Sequence, residues 1–393
     1  MPNTNHPPKP APPPVDLERA RIAWALRLIA LLSLIAMLWF TWQWLDQRGT
    51  LANLGAGAPV AAATGTDAQI VAFFTTPHLV YPDNPDRRTP MPHETQIIAD
   101  LDAAQRRIQF VTFEYNLPSI AAALARAQQR GVAVETVLDG ENLAKPAMDR
   151  WARTLEAAGV AIVWEDTDAF MHSKFIIIDD RVLWTGSWNA TENDTYRNNN
   201  NLLRITAPEL IANYQVEFAQ LQAGVASTAK QARSPHPELL VGAVEVANYF
   251  APQDRVEEQI IARIASARQS VRFLAFAFTS DPIYAALLER VQAGVPVSGV
   301  FEQRNAETPG ADYDRMRRNR FAVRKDGNCY TMHHKVMIID ERIVITGSFN
   351  FTRRANELNV ENLLIIDDPT LAAAYVAEFE RVWQQAENPP RCG

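Results

Sequence analysis

The chain has 393 residues, 47% of them hydrophobic and 21% charged, with a formal net charge of −7. That length exceeds one small domain and suits two of ordinary size plus extra segments, with enough apolar material for a substantial core. The acidic balance excludes a protein that grips nucleic acid by overall basicity, and two cysteines, Cys329 and Cys392, exclude a disulfide framework and a CxxC metal site. Two unbridged thiols are expected, with one bridge as the alternative.

Residues 1–21 are proline-rich and read as extended and unpacked. Ile22 to Leu45 then runs apolar except for Arg27 and a few weakly polar residues. As a helix it would rise about 36 Å, enough to cross a hydrocarbon core of about 30 Å. Trp39, Trp42 and Trp44 gather at one end as an interfacial belt does, and Arg27 can snorkel from the other. Lys9, Arg19 and Arg21 precede the span and only Arg48 follows it closely, which predicts a single-pass anchor with a cytoplasmic N-terminus and an exported remainder. In a bacterium that remainder would face the periplasm. A cleaved signal peptide, cut among the small residues Gly55 to Ala63, is the alternative. Residues 46–66 read as a linker.

From about Asp67 the chain repeats itself. Ile97 to Asp139 and Ile260 to Glu302 each read helix, strand, helix, strand. Helical spacing comes from Ile97, Ile98, Leu101 and Ala104, echoed by Ile260, Ile261, Ile264 and Ala267. Gly131 and Gly294 mark helix ends before the strands Val132 to Leu138 and Val295 to Phe301. This alternation predicts an α/β sheet in each half, with domains at 67–222 and 241–388 and a small, polar connector at 223–240.

The repeat is sharpest at Met171 to Asn189 and Met332 to Asn350, which share the pattern H-x-K-x4-D-x6-G-S-x-N without a gap, 161 residues apart. It picks out His172, Lys174, Asp179, Gly186, Ser187 and Asn189, then His333, Lys335, Asp340, Gly347, Ser348 and Asn350. His and Lys two apart share one face of a strand. The DDR and DER triplets read as hairpin turns, and the returning strand brings Gly, Ser and Asn back beside them. Glycine there permits a close backbone approach. Farther on, Asn200–Asn201 is echoed by Glu361–Asn362. Two imidazoles, two ammoniums and two carboxamides suit a phosphodiester, whose oxygens want donors and whose phosphorus wants a nucleophile paired with an acid.

These residues resemble the two-copy HKD signature of the phospholipase D superfamily, and the resemblance covers nearly everything beyond the expected anchor. It implies two α/β domains related by a pseudo-twofold axis, with one site on their shared interface complete within a single chain. It further implies phosphodiester cleavage without metal or cofactor. His172 is then the nucleophile and His333 the acid/base, Lys174 and Lys335 are catalytic, and Ser187, Asn189, Ser348 and Asn350 bind substrate. Asp179 and Asp340 belong to the catalytic signature and are expected to fix the interface between the halves. Glu361 is expected to support a histidine, with Asn200 as its non-acidic counterpart making the two histidines inequivalent.

Three readings compete, with phospholipid slightly ahead of nucleic acid. A phospholipid suits the anchor and the net acidity; DNA or RNA suits the basic cluster Arg315, Arg317, Arg318, Arg320, Arg324 and Lys325; and transfer to an alcohol would make a cardiolipin synthase-type enzyme. His6, His78, His93, His236 and His334 lack motif partners and are read as surface or structural. Trp184, Trp188, Phe349 and Phe351 are read as packing residues, and the long loop Thr76 to Pro92 as either a lid or a surface excursion.

Overall fold

The computed structural model describes residues 60–61, 69–75 and 82–392. The expected membrane helix 22–45, the segments flanking it, His6 and His78 lie outside the described residues. Among those described, no helix is long and apolar enough to cross a membrane.

The first half runs β1 (Val60–Ala61), β2 (Ile70–Thr75), α1 (Pro92–Ala103), β3 (Arg107–Thr112), α2 (Pro118–Gln129), β4 (Ala133–Asp139), α3 (Pro146–Ala157), β5 (Ala161–Glu165), β6 (Phe175–Ile178), β7 (Val182–Gly186), α4 (Glu192–Tyr196), β8 (Asn200–Ile205) and α5 (Pro208–Gln222). The second runs β9 (Glu238–Val241), β10 (Val244–Ala251), α6 (Val256–Ser266), β11 (Val271–Ala275), α7 (Asp281–Gln292), β12 (Val297–Phe301), α8 (Tyr313–Arg318), β13 (Ala322–Lys325), β14 (Lys335–Ile339), β15 (Ile343–Gly347), α9 (Arg353–Glu357), β16 (Glu361–Asp367) and α10 (Pro369–Glu387). Helices α1, α2, α3, α5 and α10 each open on a proline, whose fixed φ suits the first helical position and whose missing N–H would have lacked a partner there anyway.

Each half builds a mixed eight-stranded sheet of the same topology, β1-β2-β8-β7-β6-β3-β4-β5 and β9-β10-β16-β15-β14-β11-β12-β13. Strands β3–β5 and β11–β13 pair in parallel and the others antiparallel. The motif strands β6 and β14 are buried on both faces, which is why they read as unbroken apolar runs. Their alternate residues still divide cleanly. Phe175, Ile177, Val336 and Ile338 enter one central layer shared by both halves, together with Tyr214 and Phe218 of α5 and Tyr375 and Phe379 of α10. Ile176 and Ile178 face the outer layer under α1–α3, and Met337 and Ile339 face the one under α6–α8. The halves are therefore two sheets closed over one core.

Polar cross-links pin this core in register. Asn201 donates to Thr346 Oγ1 (2.6 Å) and the Tyr375 hydroxyl (2.9 Å), while Asn362 donates to Thr185 Oγ1 (2.9 Å) and the Tyr214 hydroxyl (3.1 Å). The connector contributes Lys230, buried against Glu217. Residues 82–92 also reach the second half: Asp83 N–H donates to the Tyr330 hydroxyl (2.8 Å), while Arg197 and Arg88 of its own half bind the Asp83 carboxylate.

One expectation is overturned. Cys329 and Cys392 form a disulfide, their Cα atoms 5.4 Å apart across 63 residues. The tail after α10 returns to the loop before the second motif, where Gly327 lies so close to the Gln385 carbonyl that a Cβ would stand 2.2 Å from it. No spacing rule reveals that return.

Candidate active site

The stretch before each motif pairs with the opposite half. His172 N–H donates to the Val360 carbonyl and Val360 N–H to the Phe170 carbonyl, both at 2.9 Å; His333 N–H donates to the Asn199 carbonyl and Asn199 N–H to the Thr331 carbonyl, also at 2.9 Å. Val360 and Asn199 immediately precede Glu361 and Asn200, so each histidine is backed by the other half. Glu361 Oε2 lies 2.8 Å from His172 Nδ1, and Asn200 Oδ1 lies 2.9 Å from His333 Nδ1. Both contacts call for a proton on Nδ1, which leaves each Nε2 with its lone pair.

The backing residues are themselves held. Ser348 Oγ donates to Glu361 Oε2 (2.6 Å) and accepts from Asn362 N–H (2.9 Å). Ser187 Oγ donates to Asn200 Oδ1 (2.9 Å) and accepts from Asn201 N–H (3.1 Å). The preceding glycines allow this closeness: at Gly186 (φ +152°) and Gly347 (φ +151°) a Cβ would stand 2.2 Å from the Asn201 or Asn362 carbonyl oxygen. Lys174 and Lys335 turn back to the carbonyls of His172 and His333, and lie over the Phe113 and Phe276 rings at 5.3 and 4.4 Å. The same rings meet the imidazoles edge-on, at 5.1 Å for His172 and 4.7 Å for His333.

Burial dominates the electrostatics. It pushes His172 down to about 4, with Glu361 pulling the other way and Lys174 and Lys335 adding to the fall. It also holds His333 well below the ordinary imidazole value, reinforced by Lys335, Lys174 and His172. Lys174 falls to about 8 and Lys335 well below its usual range, again through burial first, with Lys174 a further cause for Lys335. Burial works to raise Glu361, but His172, Lys174 and Ser348 together keep it below the usual carboxylate value. Lys335 helps to lower His172, and Lys174 and His172 help to lower His333, so groups of the two halves feel one another's charge.

Several expected site residues lie elsewhere. Asp179 and Asp340 follow the far ends of β6 and β14, about 16 Å of strand from the lysines at 3.3 Å per residue. Asp179 accepts from the backbone N–H groups of Gln105, Arg106 and Arg107, and Asp340 from those of Arg268, Gln269 and Ser270, at 2.7–3.1 Å. Each thus ties a hairpin to a loop of its own half, and neither touches the imidazoles or the interface. The hairpins themselves turn as expected, with left-handed φ of 52° and 59° at Asp179 and Asp180 and of 54° and 52° at Asp340 and Glu341. Ser187 and Ser348 are fully buried and spend their only proton on Asn200 and Glu361, so they hold the backing groups instead of meeting substrate.

Asn189 is partly committed too. Its Oδ1 accepts from Glu114 N–H (3.2 Å) and its Nδ2 donates to Asp194 Oδ2 (2.8 Å), leaving one amide proton. Asn350 keeps its carboxamide oxygen unpartnered among the described residues. Sequence reasoning missed Phe113, Phe276 and Asp194; subtracting one half from the other would have exposed Asp194, since Ala355 stands 161 residues on. Among the discounted histidines, His334 is buried between Asn201 (3.2 Å) and Glu378 (2.9 Å), His93 is buried and His236 exposed. Trp184, Trp188, Phe349 and Phe351 all pack in the core.

The family model described as "Cardiolipin synthase, PLD-like domain" matches the chain twice, at residues 97–222 and 260–383. The chain belongs to the phospholipase D superfamily. It is 38% identical over 120 residues to a mitochondrial cardiolipin hydrolase of Chlamydomonas reinhardtii, covering 30% of this chain and 54% of that protein. A phospholipase D of Rickettsia bellii is 33% identical over 135 residues, covering 34% of this chain and 67% of that one. The chain thus spans little more than half of the first relative. A phosphatidylserine synthase of Haemophilus influenzae shares the fold, with a TM-score of 0.60 over 85% of this chain and 90% of that one at 13% identity.

Proposed function

We propose that the chain is a phosphodiesterase that cleaves phospholipid through a phosphohistidine on His172. The observation that carries this is the Glu361 carboxylate, fully buried and 2.8 Å from His172 Nδ1. With Nδ1 donating to Glu361, Nε2 presents its lone pair; once bonded to phosphorus the ring is a cation, and a buried carboxylate at its back stabilises that cation. His333, backed by a neutral amide, protonates the departing oxygen as the P–O bond breaks. It then takes a proton from water, which attacks phosphorus and releases His172. Lys174, Lys335 and the free amide donors of Asn189 and Asn350 neutralise the phosphate oxygens.

The pKa pattern is consistent with these roles. His172 stays neutral above about pH 4, as a nucleophile must. His333 is held low by burial and then by two ammoniums, and a phosphodiester anion offsets those ammoniums, so binding lifts His333 toward its acid form.

Phospholipid is favoured over nucleic acid by three observations. The net charge is −7. Much of the basic cluster is spent in ion pairs, Arg315 with Asp281 and Asp312, Arg324 with Glu387 and Lys325 with Glu307. The relatives, too, carry lipid names. An anchor at 22–45 with domains 67–222 and 241–388 exported would place the site at a bilayer, and the Cys329–Cys392 pairing supports an oxidising compartment.

The test is the full-length chain in mixed micelles, with chelator, offered cardiolipin, phosphatidylglycerol, single-stranded DNA and RNA, and quenched in alkaline denaturant, where the P–N bond survives, to trap phosphohistidine. Lipid cleavage with an intermediate absent from His172→Ala is the expected result. Cleavage of nucleic acid alone, weakening steeply with salt, would move the reading to a nuclease, and transfer to added alcohol would move it to a synthase. Turnover with no phosphohistidine would reject the mechanism.

A further inference from the structure

The duplication makes the two halves comparable residue by residue, and one difference stands out. Glu361 backs His172 directly, but its first-half counterpart is Asn200, so His333 lacks a hydrogen-bonded carboxylate. Six residues before Asn200 lies Asp194, whose second-half counterpart is Ala355. The acid missing at one position of the first half is present at another.

Asp194 is only 3% exposed. Its Oδ2 lies 3.6 Å from His333 Nδ1. Oδ2 accepts from Asn189 N–H (2.7 Å) and Asn189 Nδ2 (2.8 Å), Oδ1 accepts from Asn198 Nδ2 (2.6 Å), and the Asp194 carbonyl accepts from Asn200 Nδ2 (3.3 Å). Both carboxyl oxygens are thus occupied by N–H donors, the set that an ionised carboxylate satisfies. Burial holds Asp194 above the ordinary carboxylate value, with the amide donors from Asn198 and Asn189 working against it. Lys335, Lys174, His172 and His334 bear on His333, and Glu114 bears on Asp194. The carboxylates of Glu361 and Asp194 both draw Lys174 and Lys335 upward against the effect of burial.

We propose that Asp194 is the positioning carboxylate for His333: it orients Asn189, Asn198 and Asn200 around the imidazole and supplies, at one remove, the negative charge that Glu361 supplies to His172 directly. This inference rests on the phosphodiesterase reading and on His333 as its acid.

The test compares Asp194→Asn, Asn200→Glu and the double variant Asp194→Ala/Asn200→Glu, which copies the second half's arrangement. Each is assayed in the full-length chain on a phosphodiester with an alkyl leaving group, which needs an acid, and on a p-nitrophenyl diester, which does not. For Asp194→Asn we expect a loss at least tenfold larger on the alkyl substrate. The descending alkaline limb of its kcat profile moves to lower pH, since removing negative charge lowers the pKa of bound-state His333. The double variant restores the limb and recovers most of the alkyl rate. Equal losses on both substrates, an unmoved limb, or no recovery in the double variant would overturn the assignment while leaving the enzyme a phosphodiesterase. A wild-type chain that forms no phosphohistidine from either substrate would overturn both.

Discussion

Replacing Glu361 with Gln keeps the shape of the group behind His172 and removes its charge. In the native protein Glu361 is fully buried and accepts from His172 Nδ1 at 2.8 Å and Ser348 Oγ at 2.6 Å. Hydrogen bonds to charged groups contribute about 1.5–3 kcal/mol. The ring becomes cationic only as phosphorus bonds to Nε2, so the loss falls on the transition state and not on substrate binding. At 1.36 kcal/mol per decade, kcat for phosphohistidine formation should drop by about 10- to 150-fold, while KM moves by less than about threefold. The sign of the pH effect follows from the same pair. Burial holds His172 at about 4 and Glu361 works to raise it, so Gln lowers it further and the ascending acid limb of kcat/KM moves to lower pH. Rapid-quench kinetics with labelled substrate across pH 3–8 reads both quantities. An unchanged kcat with raised KM, or an acid limb displaced upward, would refute the idea that Glu361 stabilises a phosphorylated ring.

Two further outcomes are expected. Asp179→Ala and Asp340→Ala, by removing acceptors for three backbone N–H groups each, should cost about 1–2 kcal/mol of stability in denaturant titrations with kcat kept within about twofold; a hundredfold loss of kcat without loss of stability would return these residues to the chemistry. Cys392→Ser opens a loop of 63 residues and should lower stability by about 2–4 kcal/mol, a difference that vanishes when both proteins are reduced; an equal midpoint under oxidising conditions would show that the tail holds without the bridge.

The motif told more about which residues matter than about whom they meet. Spacing within a strand put His172 beside Lys174 and His333 beside Lys335, because strand geometry is local. It also flagged Glu361 and Asn200, but not that each reaches into the opposite half, since that depends on the backbone pairing of Phe170–His172 with Val360 and of Thr331–His333 with Asn199. Asp179 was misjudged for a similar reason: its pairing with Gln105–Arg107 spans more than seventy residues, and conservation between the two copies fits a hairpin tie as well as a catalyst. Ser187 and Ser348 sit in the motif and serve it from behind. Cys329 and Cys392 meet only because α10 carries the tail back across the sheet.

The crossed backing of the two imidazoles acts as an interlock on synthesis. A chain completed only as far as Gln222 already holds His172 and Lys174, yet the carboxylate and the second ammonium are still to be made. An unfinished molecule therefore carries half a site, and the proposed chemistry has its full set of groups only when the last strand docks. The two copies are bound by the same device: neither can drift without disarming its twin.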